Sequence, residues 1–309
     1  MLSRRAFLQL AMLAPLSARA LAEGPRPDAD MDKMALPNSS PGVSPPRVAI
    51  LDWGLTEMAL SLGIVPVGVS APDWYRRLFA LPVLPPQVQD VGLLFQPNFE
   101  TLKALNLDAI IITPAHALLR DGLTGIAPLL TLGNWGSRPM ANIERDTRLM
   151  AGAFGRDGAA DRLLEQAAQR LARAQTQLEP LRGTAVFIAT VVDVLHLKLQ
   201  TTGGLFDEVA RRLGLRNAWR GGGNGQGEAL VELQQIAATA DARLVSLGDS
   251  AGVPPAADTP LWRSLPLTQA GNIVPLPPGL SSTGAMFSAV RFAEALAAGL
   301  LQAEGARHA

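Results

Sequence analysis

The hydrophobic and polar positions of this chain change rhythm, and the changes divide it. Val48-Ala49-Ile50-Leu51 is a short apolar run with the density of a buried strand, and Thr56 to Leu62 follows as a short helix closed by Gly63. Val65 to Val69 predicts the next strand. Trp74-Tyr75-Arg76-Arg77 reads as a loop between strands. Asn98 can cap a helix running to Leu105, Asp108 to Thr113 is dense in β-branched residues and reads as a central strand, and Leu129 to Leu132 predicts another. This alternation over residues 47–140 predicts one α/β lobe with a mainly parallel sheet.

From Met140 to Phe154, and from Ala159 to about Leu181, apolar residues recur at helical spacing, as at Leu163, Leu164, Ala167, Ala168 and Leu171. Residues 141–182 therefore predict a helical connector in place of a flexible linker. A second α/β lobe follows over 183–309. Thr184 to Val191, Arg243 to Leu247 and Ile273 to Leu276 are its strands, Phe206 to Leu213 is a helix ended by Gly214, and Thr283 to Leu301 is the closing helix. The predicted fold class is α/β: two lobes with mainly parallel sheets joined by a long rigid α-helix. Ligands of such sheets sit outside the carboxyl ends of the strands, so the expected site is the cleft between the lobes.

The N-terminus stands outside this pattern. Ser3-Arg4-Arg5-Ala6-Phe7-Leu8 opens a twin-arginine signal, with an apolar run through Leu16 and small-residue cleavage sites near Ala20 or Ala22. The run is too short for a hydrocarbon core of roughly 30 Å and is broken by Gln9 and Pro15. Residues 1–22 thus read as a cleaved signal, and 23–46, rich in Pro, Asp, Ser and Asn, as a disordered leader. The mature protein is expected free in the periplasm, as a monomer.

Composition removes several classes. Basic and acidic residues balance at 27 each, which gives no electrostatic footprint for nucleic acid or an anionic membrane. There is no cysteine, so disulfides, thiolate metal sites, cysteine nucleophiles and a lipid-bearing cysteine are excluded. No Gly-Lys-Ser/Thr phosphate loop is present, so any ATP hydrolysis belongs to a partner. Gly221 to Gly227 (GGGNGQG) departs from the dinucleotide fingerprint because Gln226 stands where the third glycine belongs; it reads as a mobile loop beside the cleft.

Gly248-Asp249-Ser250-Ala251-Gly252 fits a nucleophile elbow after a strand, which leaves a secreted serine hydrolase using Ser250 as a remote alternative. Against it, Val253-Pro254-Pro255 follows where the elbow needs a helix, and the only downstream histidine is His308. The expectation is no enzyme activity.

Five segments carry a family resemblance: RVAILDWGLTE (47–57), LGIVPVGV (62–69), DVGLLFQPNFETL (90–102), LGLRNAW (213–219) and TPLWRSLPLTQAG (259–271). In order and spacing they resemble the periplasmic ferric hydroxamate (ferrichrome-type) siderophore-binding proteins of ABC importers. The resemblance implies a helical-backbone substrate-binding protein with no cofactor of its own, whose cargo is an iron-siderophore with the iron held by the siderophore. It further implies an ABC permease in the inner membrane as partner. Ferric citrate, a catecholate siderophore, haem or a cobalamin are the alternative cargoes on the same scaffold.

Carried over by residue, the family's cargo-binding arginine falls on Leu94, its tyrosine on His116 and its second-lobe tryptophan on Gln226, while the asparagine before that tryptophan is kept as Asn224. The family's acidic permease-docking residue on the first lobe matches Asp121.

A bulky, hydrogen-bond-accepting cargo needs aromatic walls and strong donors. Trp53, at the mouth of the first strand, suits a wall, with capping of the lobe's core as its other reading. Tyr75, the only tyrosine, and Arg76 or Arg77 are expected to supply the donors missing at Leu94. The His116 ring is expected to donate one hydrogen bond to the cargo. Trp135 either faces the cleft or covers helix ends, and Trp219 and Trp262 are assigned to packing. Direct metal coordination is not expected, since His196 and His308 lie far along the chain with no acidic cluster beside them.

Overall fold

The computed structural model describes residues 46–134, 136, 139–237, 239, 241–248, 259–268 and 272–308. The signal with Arg4 and Arg5, the leader through residue 45, Trp135 and the pattern around Ser250 lie outside the described residues.

The strands of the first lobe are β1 (Val48–Ile50), β2 (Gly68–Val69), β3 (Gln89–Asp90), the hairpin pair β4 (Gly92–Leu93) and β5 (Gln96–Pro97), β6 (Ala109–Ile112) and β7 (Leu129–Thr131), of which β1, β6 and β7 are aliphatic runs. Five of them make a parallel sheet in the order β3-β2-β1-β6-β7, with Ile50 opposite both Val69 and Ile111. The winding runs outward from β1 in both directions. The carboxyl ends of β1 and β6 therefore flank the topological switch point, where open α/β sheets bind ligands.

Four helices complete the lobe: α1 (Trp53–Ser61), α2 (Pro72–Phe79), α3 (Phe99–Ala104) and α4 (Arg120–Thr124). Helix α1 begins three residues before the periodicity predicts, because the Asp52 carboxylate caps it by accepting from the Leu55 N–H at 2.8 Å. Helix α2 replaces the loop expected at Trp74 to Arg77. Pro72 opens it, Asp73 lies in its first turn, Arg76 and Arg77 lie in its last, and Tyr75 and Phe79 bury one face with rings stacked at 4.7 Å.

The connector is two helices, α5 (Met140–Ala153) and α6 (Asp157–Gln177). With 21 residues, α6 spans about 30 Å. It buries Ala160, Ala167, Leu171 and Ala174 on one stripe.

In the second lobe, β8 (Ala185–Val191), β9 (His196–Gln200), β10 (Arg216–Asn217), β11 (Glu228–Glu232), β12 (Ala242–Leu247) and β13 (Ile273–Leu276) form a sheet in the order β11-β9-β8-β12-β13, with β10 also on β8. The members β8, β10, β12 and β13 are parallel, and they too wind outward, from the β8–β12 pair. The antiparallel ribbon of β9 and β11 is an addition that the hydrophobic pattern did not reveal. Helices α7 (Leu205–Arg212), α8 (Gln234–Ala237), α9 (Pro260–Ser264) and α10 (Met286–His308) pack around it. Arg170 of α6 holds Glu294 of α10 through two bonds of 2.7 Å.

One apolar cluster runs without interruption from Ile50 and Ile111 of the first sheet, through Met150 and Leu171 of the connector, to Val245 and Phe292 of the second lobe. Swinging one lobe away from the other would expose that surface at about 25 cal/mol per Å², so the lobes are held as one body. Among the described residues no helix is long and apolar enough to cross a membrane.

Candidate ligand-binding cleft

The two carboxyl edges meet through a buried carboxylate. Glu57 of α1 is fully buried; its Oε1 accepts from the N–H groups of Ala285 (3.1 Å) and Ser288 (2.9 Å), and its Oε2 from the Ser288 hydroxyl. The Glu57 carboxyl group thus sits at the N-terminus of α10 and accepts from backbone N–H groups that lack helical partners. The same helix sends Arg291 to the carbonyls of Phe79 (3.0 Å) and Gly279 (2.6 Å). Across the cleft's other side, Gly136 follows β7 and lies so close to the Gly225 carbonyl that a Cβ would collide with it.

At the first lobe's switch point stand Trp53, just after β1, and His116, just after β6. The Trp53 indole is half-buried and donates to the Ser70 carbonyl at 2.8 Å, while its ring packs against the Tyr75–Phe79 cluster. His116 is only 1% exposed. Its Nδ1 lies 3.2 Å from the Thr113 N–H and 3.0 Å from the Thr113 hydroxyl, and its Nε2 lies 3.0 Å from the Leu94 carbonyl. A carbonyl only accepts, so the bond to Leu94 takes a proton on Nε2, while Nδ1 meets the Thr113 N–H, its hydroxyl and, at 3.3 Å, its carbonyl. The donor expected to reach the cargo is therefore spent on Leu94.

That bond fixes a hairpin across the sheet edge. The β4–β5 hairpin leaves β3 at the far side of the sheet, passes over β2 by accepting at the Gly92 carbonyl from the Ala71 N–H (2.8 Å), and reaches the end of β6 at Leu94. The Leu94 side chain is half-buried. Phe95 stacks on the His116 ring at 5.2 Å and remains 58% exposed, and Leu93 is 56% exposed. Gly92, at φ +93°, makes the turn possible, since a Cβ there would press on Gln96 and Asn98.

The remaining donors expected of the first lobe also turn elsewhere. Tyr75 is 1% exposed and donates to the Pro82 carbonyl at 3.1 Å; burial, then the nearby Glu57, pushes its pKa up. Arg76 pairs with Asp73 at 2.9 Å, and Arg77 lies over the Trp74 ring at 5.4 Å. Both guanidinium groups thus lie on the solvent side of α2, because Tyr75 and Phe79 take its inner side. Asp121 is exposed in the first turn of α4, close in sequence to the fully exposed Leu118.

The second lobe's edge has a different chemistry. Asn224 Oδ1 accepts from the N–H groups of Gln226 (2.9 Å) and Glu228 (3.0 Å), which closes the glycine-rich loop into a turn, and Gln226 is exposed on it. Beneath the loop, Gln200 Nε2 donates to Glu228 Oε1 at 3.1 Å, and Ser282 and Lys198 approach the same oxygen at 3.3 and 3.4 Å. Gln200 Oε1 and Thr201 Oγ1 are buried without a partner. At this lobe's switch point, after β8, Val192 and Val194 are exposed. Asp193 holds that turn by accepting from the N–H groups of Leu195 and His196, and those bonds, with the His196 ring, lower its pKa.

Sequence reasoning singled out Trp53, Leu94, His116, Asn224 and Gln226 near these edges and missed Phe95, Gln200, Thr201 and Val192. A signal for Phe95 existed: Leu93-Leu94-Phe95 is an apolar turn bounded by Gly92 and Pro97. Trp262 is buried and Trp219 half-buried against the second lobe's core. A separate cavity of about 270 Å³, lined by Leu195, His196, Glu232, Leu233, Gln234 and Leu265, lies at the β9–β11 ribbon. It is below the roughly 300–1,000 Å³ of sites that enclose a drug-sized ligand. No cluster of three His, Cys, Asp or Glu suited to a metal occurs among the described residues.

The profile of a family described as periplasmic binding protein matches residues 48–280. The iron(3+)-hydroxamate-binding protein FhuD of Escherichia coli K12 is 28% identical over 257 residues, covering 82% of this chain and 86% of that protein. The achromobactin-binding periplasmic protein of Dickeya dadantii is 33% identical over 141 residues, 44% of this chain and 43% of its own. Among solved structures, FhuD of Vibrio cholerae bound to Fe3+–Desferal superposes with a TM-score of 0.76 at 27% identity, covering 84% of this chain and 99% of that one. The catecholate-siderophore-binding protein VctP of Vibrio cholerae shares the fold at a TM-score of 0.63 and 19% identity, over 84% of this chain and 94% of its own.

Proposed function

Because the chain belongs to the periplasmic binding protein family, we propose that it captures an iron(III) siderophore of the hydroxamate type between its two carboxyl edges and hands it to an ABC permease. The observation that carries this reading is likeness over nearly the whole length of a relative solved with Fe3+–Desferal. In such a cargo the siderophore's own oxygens hold the iron. The protein then needs no metal ligands, only a surface that fits the complex and a frame that presents it.

The frame here suits delivery. The core is continuous through the connector, and Glu57 ties α1 to α10, so cargo is met by a nearly preformed cleft with little ordering cost. Exposed Asp121 supplies the first lobe's charge for a permease arginine, and Asp121→Arg should lower import while leaving cargo affinity unchanged. Export by Arg4 and Arg5 places the mature protein in the periplasm, where it binds and does not catalyse.

The test is a titration of purified protein, read by intrinsic tryptophan fluorescence, against Fe3+–Desferal, a ferric catecholate, ferric citrate, haem and cobalamin. Saturable quenching that is tightest with Fe3+–Desferal supports the reading. Tighter binding of any other member reassigns the cargo, and no response to any member overturns the siderophore function.

A further inference from the structure

We infer that the Leu93–Gln96 hairpin, locked by His116, is the element of the first lobe that selects cargo, and that it recognises the hydrocarbon linkers of a ferric trihydroxamate and not the iron-bound oxygens. This rests on the siderophore reading above and deepens it.

Three observations converge on the hairpin. Its tip lies at the switch point of the first sheet, reached by crossing over β2 to the end of β6. It shows solvent two large apolar side chains, Phe95 at 58% and Leu93 at 56%, while Leu94 directs its carbonyl inward. The imidazole beneath is buried, with both ring nitrogens engaged inside the lobe, so this part of the edge offers a hydrocarbon surface in place of donors.

Phe95 is held in place by its stack on His116, and the Leu94 bond stops the tip from folding back into the lobe. Such ordering before binding removes the conformational cost that an exposed phenylalanine would otherwise incur. A complementary cargo carries its polar oxygens inside, around iron, and its methylene linkers outside. The linkers then lie on Phe95 and Leu93, and cargo oxygens face the other lobe. His116 acts through the hairpin and is a positioning residue.

The experiment uses the full-length mature protein, two probes and the fluorescence titration. Fe3+–Desferal has three hydroxamates joined by linkers of methylenes interrupted by amides; ferric acetohydroxamate has the same six oxygens and no linkers. Phe95→Ala should weaken Fe3+–Desferal about tenfold, the loss expected for roughly half a phenylalanine's burial. Phe95→Leu should weaken it by less than about threefold, and Leu301→Ala, near the far end of α10, should leave it unchanged.

The parent's preference for Fe3+–Desferal over ferric acetohydroxamate should narrow by the same factor of about ten in Phe95→Ala. His116→Ala should match Phe95→Ala, and the double variant should be no weaker than either, because the histidine works through the phenylalanine. Should His116→Ala not fold by circular dichroism, the Phe95 pair decides alone. Phe95→Ala within twofold of the parent, or an equal loss for both probes, overturns the assignment while leaving the siderophore function standing. A parent that binds neither these probes nor the wider panel overturns the function itself, and this inference with it.

Discussion

The two carboxyl edges of this protein solve one problem in opposite ways. On the first lobe the polar groups of Trp53, Tyr75 and His116 are bonded within the lobe, the Ser70 hydroxyl after β2 is buried without a partner, and Leu93 and Phe95 face outward. On the second, a glycine-rich loop covers Gln200 and Thr201, whose Oε1 and Oγ1 remain unpaired although buried. Bonded donors stabilise an edge, whereas buried unpaired polar atoms, on two side chains of the second lobe against one of the first, hold hydrogen-bonding capacity at a cost in stability. Under the siderophore proposal, the difference predicts hydrocarbon contacts on the hairpin of the first lobe and oxygen contacts on the second.

The largest expected effect comes from releasing the edges from one another. Glu57→Ala leaves two backbone N–H groups and the Ser288 hydroxyl without their acceptor, and should lower unfolding stability by about 3 kcal/mol in urea titration. A loss under about 1 kcal/mol would mean that the continuous core alone sets the spacing of the edges.

A smaller and opposite shift is expected on the second lobe. Thr201→Val keeps the shape and removes an unpaired hydroxyl, so it should stabilise the free protein by about 1 kcal/mol while weakening cargo. Thermal melts and fluorescence titration together check this. Lower stability would show that the hydroxyl is satisfied in solution, and would erase the contrast between the edges.

The smallest effect belongs to α2. Arg76→Ala removes an exposed i,i+3 pair with Asp73 and should change cargo affinity and stability by well under about 1 kcal/mol. A tenfold loss of affinity would instead bring that guanidinium into the cleft and give the first lobe a charged donor.

What could be read from the sequence follows from which physics leaves a local signature. Buried parallel strands such as Val48–Ile50, Ala109–Ile112 and Ile273–Leu276 announce themselves as aliphatic runs, and α6 announces itself by its stripe of alanine and leucine. The ribbon of β9 and β11 did not, because an added antiparallel edge alternates polar and apolar residues among turn-forming neighbours. Helix α2 was missed although Pro72, Asp73 and the Tyr75–Phe79 spacing marked it, since two adjacent arginines and two aromatics resembled a binding loop.

The site suffered more. Residue types named the donors Tyr75, Arg76 and His116, but which way a side chain points depends on partners distant in sequence, such as Leu94 for His116, 22 residues away. The switch points themselves depend on strand order, which no local pattern carries.

The most direct test of the account is a crystal structure of the Fe3+–Desferal complex. It should place the iron between the two carboxyl edges, with the linkers against Phe95 and Leu93 and the hydroxamate oxygens turned to the second lobe around Asn224, Gln226 and the polar group beneath them. Cargo seated against Arg76 and Arg77, or in the cavity between Leu195 and Leu265, would contradict it.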